Sequence, residues 1–401
     1  MNWLESDRRS SIFVALLCGI VALPLLGVSL TLPSLPSLRG AFAAPVERVQ
    51  WTISAYYLCL AAMQLPYGAL SDRYGRRPLL IAALALYGFA AAACAFASSL
   101  EVLIGFRVLQ GLGAAGCMVL ARAVVGDAFT GARGLRMMTI VLSGPGVVAL
   151  MAPAAGGWLS AAIGWRGVFA TLAGVGLLLA AAAVAFLPET KPARVEREGG
   201  ARETLRACAA FFGTPAAFGS ASIMAFCQAG LYATSYLSAF IFIEVFGVAE
   251  QHYGWLLAIT GGTMLCGSWA ATLLPPLRRQ RAFSMVAPFA VVTAIGLFAA
   301  TMSPMPGVKG IVAIMVPLAA YAFCCAFFSP TAGLASVRAV PQAAGIASAI
   351  TGTMQIGLGA VFIWLGGRLY DGTPSALGIC IAIAAVIWTS LYLSLGRRWL
   401  A

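Results

Sequence analysis

Long runs of apolar residues alternate with short polar connections along nearly the whole chain. A helix needs about 20 mostly apolar residues to cross a bilayer, and each run has about that length. The pattern therefore predicts twelve membrane-spanning helices, which we number as spans 1 to 12. Their predicted bounds are 12–34, 51–70, 78–98, 102–122, 137–158, 167–187, 214–243, 254–275, 283–303, 310–330, 343–366 and 375–396.

A polar stretch interrupts the series after span 6. The segment from Pro188 to Arg206 holds nine charged residues, which indicates a solvated linker rather than another span. The predicted units are a first six-helix bundle, a linker and a second six-helix bundle, with bounds 1–187, 188–208 and 209–401. Gly156-Gly157 at the end of span 5 resembles Gly366-Gly367 at the end of span 11. This echo favours pseudo-symmetric halves, with chance pairing of glycines as the alternative.

The composition excludes most soluble proteins. Hydrophobic residues make up 61% of the chain and charged residues only 9%, whereas globular proteins average about 25% charged residues. A soluble enzyme, a disordered chain and a nucleic-acid binder are therefore not expected, and the fold class is an all-α membrane protein. Ten cysteines lie mostly in apolar runs without a CxxC pair, so we expect no metal site, disulfide framework or cofactor.

The net charge of +12 follows membrane topology. Nineteen of the 25 basic residues flank the side that would hold both termini, and five lie in the opposite loops. Because basic residues are retained in cytoplasmic loops, both termini are predicted to be cytoplasmic. The first apolar run is longer than a signal-peptide core and lacks a clear cleavage site, so it is interpreted as a retained helix.

The connection between spans 2 and 3 reads Gly68-Ala-Leu-Ser-Asp-Arg-Tyr-Gly-Arg-Arg-Pro78. This segment resembles the signature loop of the major facilitator superfamily, and a plain basic loop is the alternative. The resemblance implies that Asp72 caps the start of span 11 and that Arg76 pairs with Asp127, which would latch the two bundles together. The residues expected to act in this latch are Gly68, Asp72, Arg73, Gly75, Arg76, Arg77 and Asp127.

Span 4 carries a charge within an apolar run, at Arg107. A buried charge in a membrane is costly and typically marks a functional pathway. Arg107, Gln110 and Gly111 share one helix face. Together they resemble the span 4 motif of the same superfamily, in which the arginine is associated with proton coupling. An arginine that extends to the outer membrane interface is the alternative, since Arg107 lies about two turns from the loop.

Span 5 contains Ala152-Pro-Ala-Ala-Gly-Gly157. This is similar to the motif of the drug:proton antiporter branch, although Ala152 and Val148 stand where that motif has glycine. Pro153 permits a bend, and Gly156 with Gly157 permits close packing, so these three residues are expected to act in conformational change. The overall resemblance is closest to the bicyclomycin and chloramphenicol resistance group, which implies a location in the inner membrane of a bacterium.

One departure from that group concerns the proton. Its members carry an acidic residue in span 1, where this chain has Ser29. None of the 13 acidic residues lies deep in a predicted span. Proton coupling, if present, must use other groups, and the candidates are Arg107, Glu244 and Asp127.

Polar and aromatic residues inside the spans are the candidate substrate contacts. An apolar pocket with a few polar groups suits amphipathic small molecules, and ordinary packing between helices is the alternative for each residue. The candidates are Ser29, Tyr56, Gln64, Arg107, Gln110, Gln228, Tyr232, Tyr236, Tyr321 and Gln355.

The leading hypothesis is a secondary active transporter that exports small, mostly apolar, neutral or anionic compounds by alternating access, in exchange for protons. Its expected partners are a small-molecule substrate, the lipid bilayer and protons, with no nucleic acid, and the chain is expected to be a monomer. An importer or facilitator of a metabolite, such as a siderophore or organic acid, is the first alternative. A membrane sensor or membrane-embedded enzyme is the second, disfavoured because no sizeable soluble domain exists and His252 stands alone.

Overall fold

The computed structural model describes residues 7–129, 131–190, 201–302 and 305–396. Nearly all of these residues are helical, and the described ranges contain no strand. Ten of their helices are long and apolar enough to cross a membrane. The predicted all-α fold is therefore confirmed, and two local features account for the difference between ten helices and twelve spans.

The first feature is the tight connection between spans 5 and 6. The helical segment Gly131–Phe186 is interrupted at Gly164, whose backbone adopts φ 66° and ψ 176°. Glycine adopts a positive φ without a steric penalty, so the chain reverses there within one residue. The second feature is in span 2, which consists of Trp51–Ala62 and Gln64–Tyr74 with a break at Met63. Neither half alone is long enough to cross a bilayer.

The remaining elements follow the predicted order. Span 1 comprises Asp7–Ser29, the 3₁₀ turn Leu32–Ser34 and Leu35–Phe42, and a short helix Val46–Val49 precedes span 2. Spans 3 and 4 are Arg76–Ala95 and Leu100–Ala128, and spans 5 and 6 are residues 131–163 and 165–186. Spans 7 to 12 are Pro215–Ala239 with the π-helical extension Phe240–Val245, Glu250–Leu273, Pro276–Met302, Gly307–Arg338, Ala344–Leu369 (after the turn Pro341–Ala343), and Ser375–Leu391 with Tyr392–Gly396.

The spans pack as two six-helix bundles. In the first bundle, span 3 packs against spans 4 and 6, and span 1 packs against span 5. In the second, span 7 contacts spans 10, 11 and 12. The bundles meet where span 2 contacts span 11 and where span 5 contacts span 8. Small residues permit close approach within a bundle: a Cβ at Gly113 of span 4 would lie 2.6 Å from the Ala83 carbonyl oxygen of span 3.

Twelve spans place both ends of the described chain on one side of the membrane. We call this side the inner face and the opposite side the outer face. That the inner face is cytoplasmic stays a prediction. The terminal residues Arg397 and Arg398, which were counted in that prediction, lie outside the described residues.

A connecting helix, Ala201–Gly213, joins the bundles at the inner face. Its Phe211 is fully buried against Ala217 of span 7 and Ala347 of span 11. Part of the predicted linker is therefore helical. Burial of the apolar side of the helix against the second bundle stabilises it. Residues 191–200 of that linker lie outside the described residues, and the predicted domain boundaries stay a prediction.

Candidate functional site

Arg107 lies in the interior of the first bundle and is fully buried. Its Nε donates a hydrogen bond to the Thr52 carbonyl oxygen of span 2 at 2.8 Å, and its Nη1 donates to the Gly27 carbonyl oxygen of span 1 at 3.1 Å. Nη1 also donates to Gln110 Oε1 at 2.6 Å. The guanidinium therefore connects three spans, and the alternative of a side chain extended to the membrane interface is wrong.

Aromatic rings cover the Arg107 guanidinium. The ring centre of Tyr56 lies 4.3 Å from its Cζ, and that of Phe169 lies 5.7 Å away. Cation–π contact of this kind stabilises a desolvated cation. The remaining nitrogen, Nη2, is buried without a hydrogen-bond partner, and no ion pair among the described residues includes Arg107. The site is thus a buried positive charge with one unpartnered nitrogen, which carries two N–H donors.

The position of Gly27 explains how its carbonyl reaches the guanidinium. A Cβ at this residue would overlap the Tyr87 hydroxyl, and the Tyr56 hydroxyl lies close by. Tyr56 in turn donates a hydrogen bond to the Pro24 carbonyl oxygen at 2.8 Å. Only glycine leaves room for both tyrosines beside span 1.

Tyrosines in edge-to-face contact link this region to the second bundle. The ring centres of Tyr56 and Tyr57 are 5.9 Å apart, and those of Tyr57 and Tyr232 are 5.2 Å apart. Tyr232 belongs to span 7, so the aromatic contact crosses between the bundles. Movement of one bundle relative to the other would therefore displace Tyr57, which contacts the Tyr56 ring that covers Arg107.

The other predicted substrate contacts are dispersed. Arg107, Gln110 and Tyr56 form one cluster, and Tyr232 is joined to it through Tyr57, whereas the remaining candidates lie in different environments. Ser29 is buried in span 1, and Gln64 is buried where it faces Gly352 of span 11. In the second bundle, Gln228 contacts Ser329, Tyr321 is buried, and Gln355 is half-buried on span 11. The Tyr236 hydroxyl donates a hydrogen bond to the Val46 carbonyl oxygen at the outer face.

At the inner face, Arg76 is the centre of a polar cluster. Its Nε lies 3.0 Å from Asp127 Oδ2, and its Nη2 lies 2.8 Å from Asp72 Oδ1. The pair predicted between Arg76 and Asp127 is confirmed, and it joins span 3 to span 4. The role of Asp72 at the start of span 11 stays a prediction, as does the gating role of the loop.

The same loop contains an anion-binding turn. Gly75 has φ 95°, and a Cβ there would lie 2.7 Å from Glu189 Oε2. Glu189 accepts hydrogen bonds from the backbone nitrogens of Arg76 at 3.0 Å and Arg77 at 3.2 Å. Its negative charge faces the N-terminus of span 3, where the helix dipole favours it. Of the other loop residues, Arg77 also donates to the Val184 carbonyl oxygen at 2.8 Å, Arg73 lies over the Tyr74 ring, and Gly68 has open space beside it.

The glycine motif of span 5 lies against span 8 of the other bundle. A Cβ at Gly157 would overlap the Glu250 carbonyl oxygen, and one at Gly254 would overlap the backbone at Pro153 and Ala154. Gly156 faces span 1 instead, where a Cβ would lie 2.5 Å from the Leu30 carbonyl oxygen. The motif therefore permits backbone contact between the bundles near the outer face.

Charged residues join the bundles at the outer face. Arg39 of the first bundle pairs with Glu244 of the second, and Arg368 of the second pairs with Glu47 of the first. The Tyr236 hydroxyl donates to the Val46 carbonyl oxygen at 2.6 Å, also across the bundles. We call these contacts the outer seal; its residues are Arg39, Val46, Glu47, Tyr236, Glu244 and Arg368. Glu244 lies on the π-helical end of span 7, a form that is frequent at functional sites.

A cavity of about 640 Å³ lies within the outer seal and is bordered by residues of both bundles. Tyr370 and Asp371 form part of its wall. Burial and the nearby Glu244 carboxylate raise the pKa of Tyr370 to about 12, so its hydroxyl stays protonated. Hydrogen bonds from the hydroxyl and the backbone N–H of Thr373 lower the pKa of Asp371, so this carboxylate is charged at neutral pH.

Comparison with known proteins identifies the family. Residues 17–364 match the model of the Major Facilitator Superfamily. The chain belongs to this superfamily. Members of the Major Facilitator Superfamily are membrane transporters, so the protein is a multi-pass membrane transporter rather than an enzyme.

Similar proteins of this superfamily include two named for drug resistance. Over 187 residues the chain is 37% identical to a chloramphenicol resistance protein of Pseudomonas aeruginosa, and this alignment covers 45% of the chain and 44% of that protein. It is 26% identical over 365 residues to the multidrug resistance protein MdtL of Escherichia coli, with 90% of each covered. The structure of a bacterial homologue of the human lysosomal transporter Spinster, in an inward-facing and occupied conformation, matches with a TM-score of 0.76 at 17% identity over 98% of both chains. That likeness shows the superfamily fold.

Several residues of this superfamily member were not predicted as site residues. Arg39, Glu47 and Arg368 were counted only as loop charges or span ends, yet they join the bundles. Gly254 was not noted, although it lies opposite the predicted glycine motif. The sequence signal that could have indicated these ion pairs is the presence of both acidic and basic residues at the outer ends of several spans. Within the described ranges, no group of histidine, cysteine and acidic residues could hold a metal ion.

Proposed function

We propose that the protein exports small, mostly apolar organic compounds that are neutral or anionic, and that it does so by alternating access in exchange for protons. The observation that carries this proposal is Arg107, a buried cation with an unused Nη2 donor and no carboxylate partner among the described residues. A nitrogen of this kind can donate a hydrogen bond to a carbonyl, nitro or carboxylate oxygen of a cargo molecule. A cationic cargo would be repelled, because interaction between charges is strong in a low-dielectric interior.

Export as the direction is supported by the relatives, which are named for resistance to chloramphenicol and to multiple drugs. Alternating access is supported by the outer seal, since contacts between bundles at one face must separate for that face to open. The proposed setting is the bacterial inner membrane, with both termini in the cytoplasm and the chain acting as a monomer.

Proton exchange requires a group that can release its proton. A guanidinium keeps its proton in proteins, so Arg107 can influence coupling only through its charge. The two carboxylate candidates lie at opposite faces and are both paired, Asp127 with Arg76 and Glu244 with Arg39. We assign the exchanged proton to Asp127, because its side chain keeps 19% of its exposure against 26% for Glu244, so it is the less solvated of the two carboxylates.

Flux into proteoliposomes with an imposed pH gradient tests the proposal. Three probes of similar size are compared: a neutral phenicol, an aromatic carboxylate and a lipophilic cation. We expect gradient-driven movement of the first two, and its reduction in Asp127→Asn. Preferential movement of the cation would overturn the cargo assignment, and flux of any probe that is unaffected by the gradient would overturn proton exchange.

A further inference from the structure

Gln50 occupies an unusual position at the outer end of span 2. Its side chain is fully buried, yet neither amide atom, Oε1 or Nε2, has a hydrogen-bond partner. A buried amide of this kind is rare in folded proteins and calls for an explanation.

The side chain fits a notch in the other bundle. Gln50 Oε1 lies where a Cβ of Gly367 would be, so the absence of a side chain at Gly367 makes room for it. Gly367 also borders the outer cavity, beside Arg368 of the outer seal. Gln50 is therefore enclosed only while span 2 and span 11 are in contact at the outer face.

The contacts around Gln50 act in opposite directions. The ion pairs of the outer seal and the hydrogen bond from Tyr236 to Val46 favour closure of the outer face. Burial of an amide without partners disfavours closure, since the amide loses water and gains nothing in return. When the bundles separate, water reaches the amide and this cost is removed.

We propose that Gln50 sets the balance between the closed and open outer face, by making closure costly and therefore reversible. The inference rests on the alternating access proposed above. It assigns to Gln50 a positioning role in the transport cycle, distinct from cargo binding at Arg107. The magnitude expected for one buried unpaired amide is a factor of about 5 to 150 in the ratio of closed to open protein.

Distances between spin labels in proteoliposomes test this role. Labels are attached to cysteines introduced at the exposed positions Ala41 and Val308, which lie on different bundles at the outer face. The background replaces by serine the native cysteines that are not buried, which are Cys18, Cys59, Cys208 and Cys266. The ratio of short to long distances reports closed and open protein.

Gln50→Met removes the amide at similar length, and we expect the ratio of closed to open protein to rise by the factor above. Gln50→Leu is a second apolar variant in case methionine impairs folding. Gln50→Glu should change the ratio in the opposite direction. Gln280→Met is the matched control, because Gln280 is only half-buried and lies at the inner end of span 9, away from the outer face, so its ratio should not change.

Substitution of Gly367 tests the notch itself. Gly367→Ala should favour the open outer face, because the added methyl group takes the place of the Gln50 side chain. The double variant Gly367→Ala with Gln50→Ala removes this overlap and should restore closure. An unchanged or lower closed fraction in both Gln50→Met and Gln50→Leu would overturn the inference. A single distance in the parent protein under every condition would instead contradict alternating access itself, so the two failures are distinguishable.

Discussion

The guanidinium of Arg39 in span 1 pairs with the carboxylate of Glu244 in span 7, although 205 positions separate them in sequence. The second ion pair of the outer seal, between Glu47 and Arg368, has the opposite polarity, since here the first bundle supplies the acid. The four side chains keep between 26% and 56% of their exposure. Partly exposed pairs contribute about 0.2–1 kcal/mol each, so these two ion pairs add little to the free energy that holds the outer face closed.

Reversing one charge of the outer seal should favour the open outer face. Arg39→Glu places two carboxylates side by side, and we expect the closed fraction to fall about 2- to 5-fold, as the modest strength of an exposed pair implies. Glu244→Arg should act in the same direction. The double variant restores opposite charges and should recover closure, measured by the spin-label distance between the bundles.

The matched control for this experiment is the pair of Arg48 and Glu101, which lies wholly within the first bundle. Arg48→Glu should leave the distance distribution unchanged. If the Arg39 and Glu244 double variant stays as open as either single variant, the cross-bundle pair does not contribute to closure.

Backbone contact between spans 5 and 8 should tolerate no added side chain. Gly254→Ala places a methyl group against the backbone of Pro153 and Ala154, and overpacking of this kind costs about 1–3 kcal/mol. We expect the variant to favour the open outer face and to transport more slowly. Gly262→Ala on the same helix meets nothing within 4 Å and is the control. Equal effects of the two substitutions would show that the cost arises within span 8 rather than between the bundles.

The fold could be predicted because its main signal is local. Each apolar run carries its own evidence of membrane burial, and each predicted span coincides with a helix or a broken helix. Several helices extend beyond the predicted bounds: span 4 continues to Ala128 rather than 122, and span 10 to Arg338 rather than 330. The loop predicted at 159–166 is reduced to a reversal at Gly164. The connecting helix Ala201–Gly213 was not predicted, because the charged residues before its buried Phe211 indicated a solvated linker.

The candidate site was predictable only where a motif supplied long-range information. The pairing of Arg76 with Asp127 followed from the family resemblance, and the buried state of Arg107 from its position in an apolar run. The partners of Arg39 and Glu47 could not be predicted, since loop charges carry no mark of which distant residue they meet. The unpaired amide of Gln50 depends on the atoms that surround it, and sequence spacing does not describe these.

The carboxylate of Glu189 should stabilise the start of span 3. It accepts hydrogen bonds from the backbone nitrogens of Arg76 and Arg77, where the helix dipole favours a negative charge. Glu189→Gln keeps the shape and removes the charge, so we expect stability to fall by about 0.3–1 kcal/mol. Thermal unfolding in detergent measures this. Glu47→Gln, which removes a charge at the outer seal, should leave the inner end of span 3 unaffected in hydrogen exchange, whereas Glu189→Gln should increase exchange there.

Arg107 should be irreplaceable even by lysine. Its planar guanidinium donates to Thr52 and Gly27 from two nitrogens at once, whereas a lysine ammonium is a compact point charge without this fixed arrangement of donors. We expect Arg107→Lys to fold but to lose export of every cargo, because the aromatic covering and the span 1 contact lose their anchor. Efflux from intact cells and circular dichroism together separate lost transport from lost folding.

Gln110→Glu distinguishes a cargo role of Arg107 from a purely structural one. The new carboxylate would accept the same hydrogen bond from Nη1 and neutralise the guanidinium, while the links to Thr52 and Gly27 remain. An anionic cargo would then lose its attraction, and we expect its efflux to fall about tenfold, which corresponds to about 1.4 kcal/mol. A neutral phenicol should be affected far less. Equal losses for both cargoes would mean that the charge of Arg107 holds the bundle together without meeting the cargo.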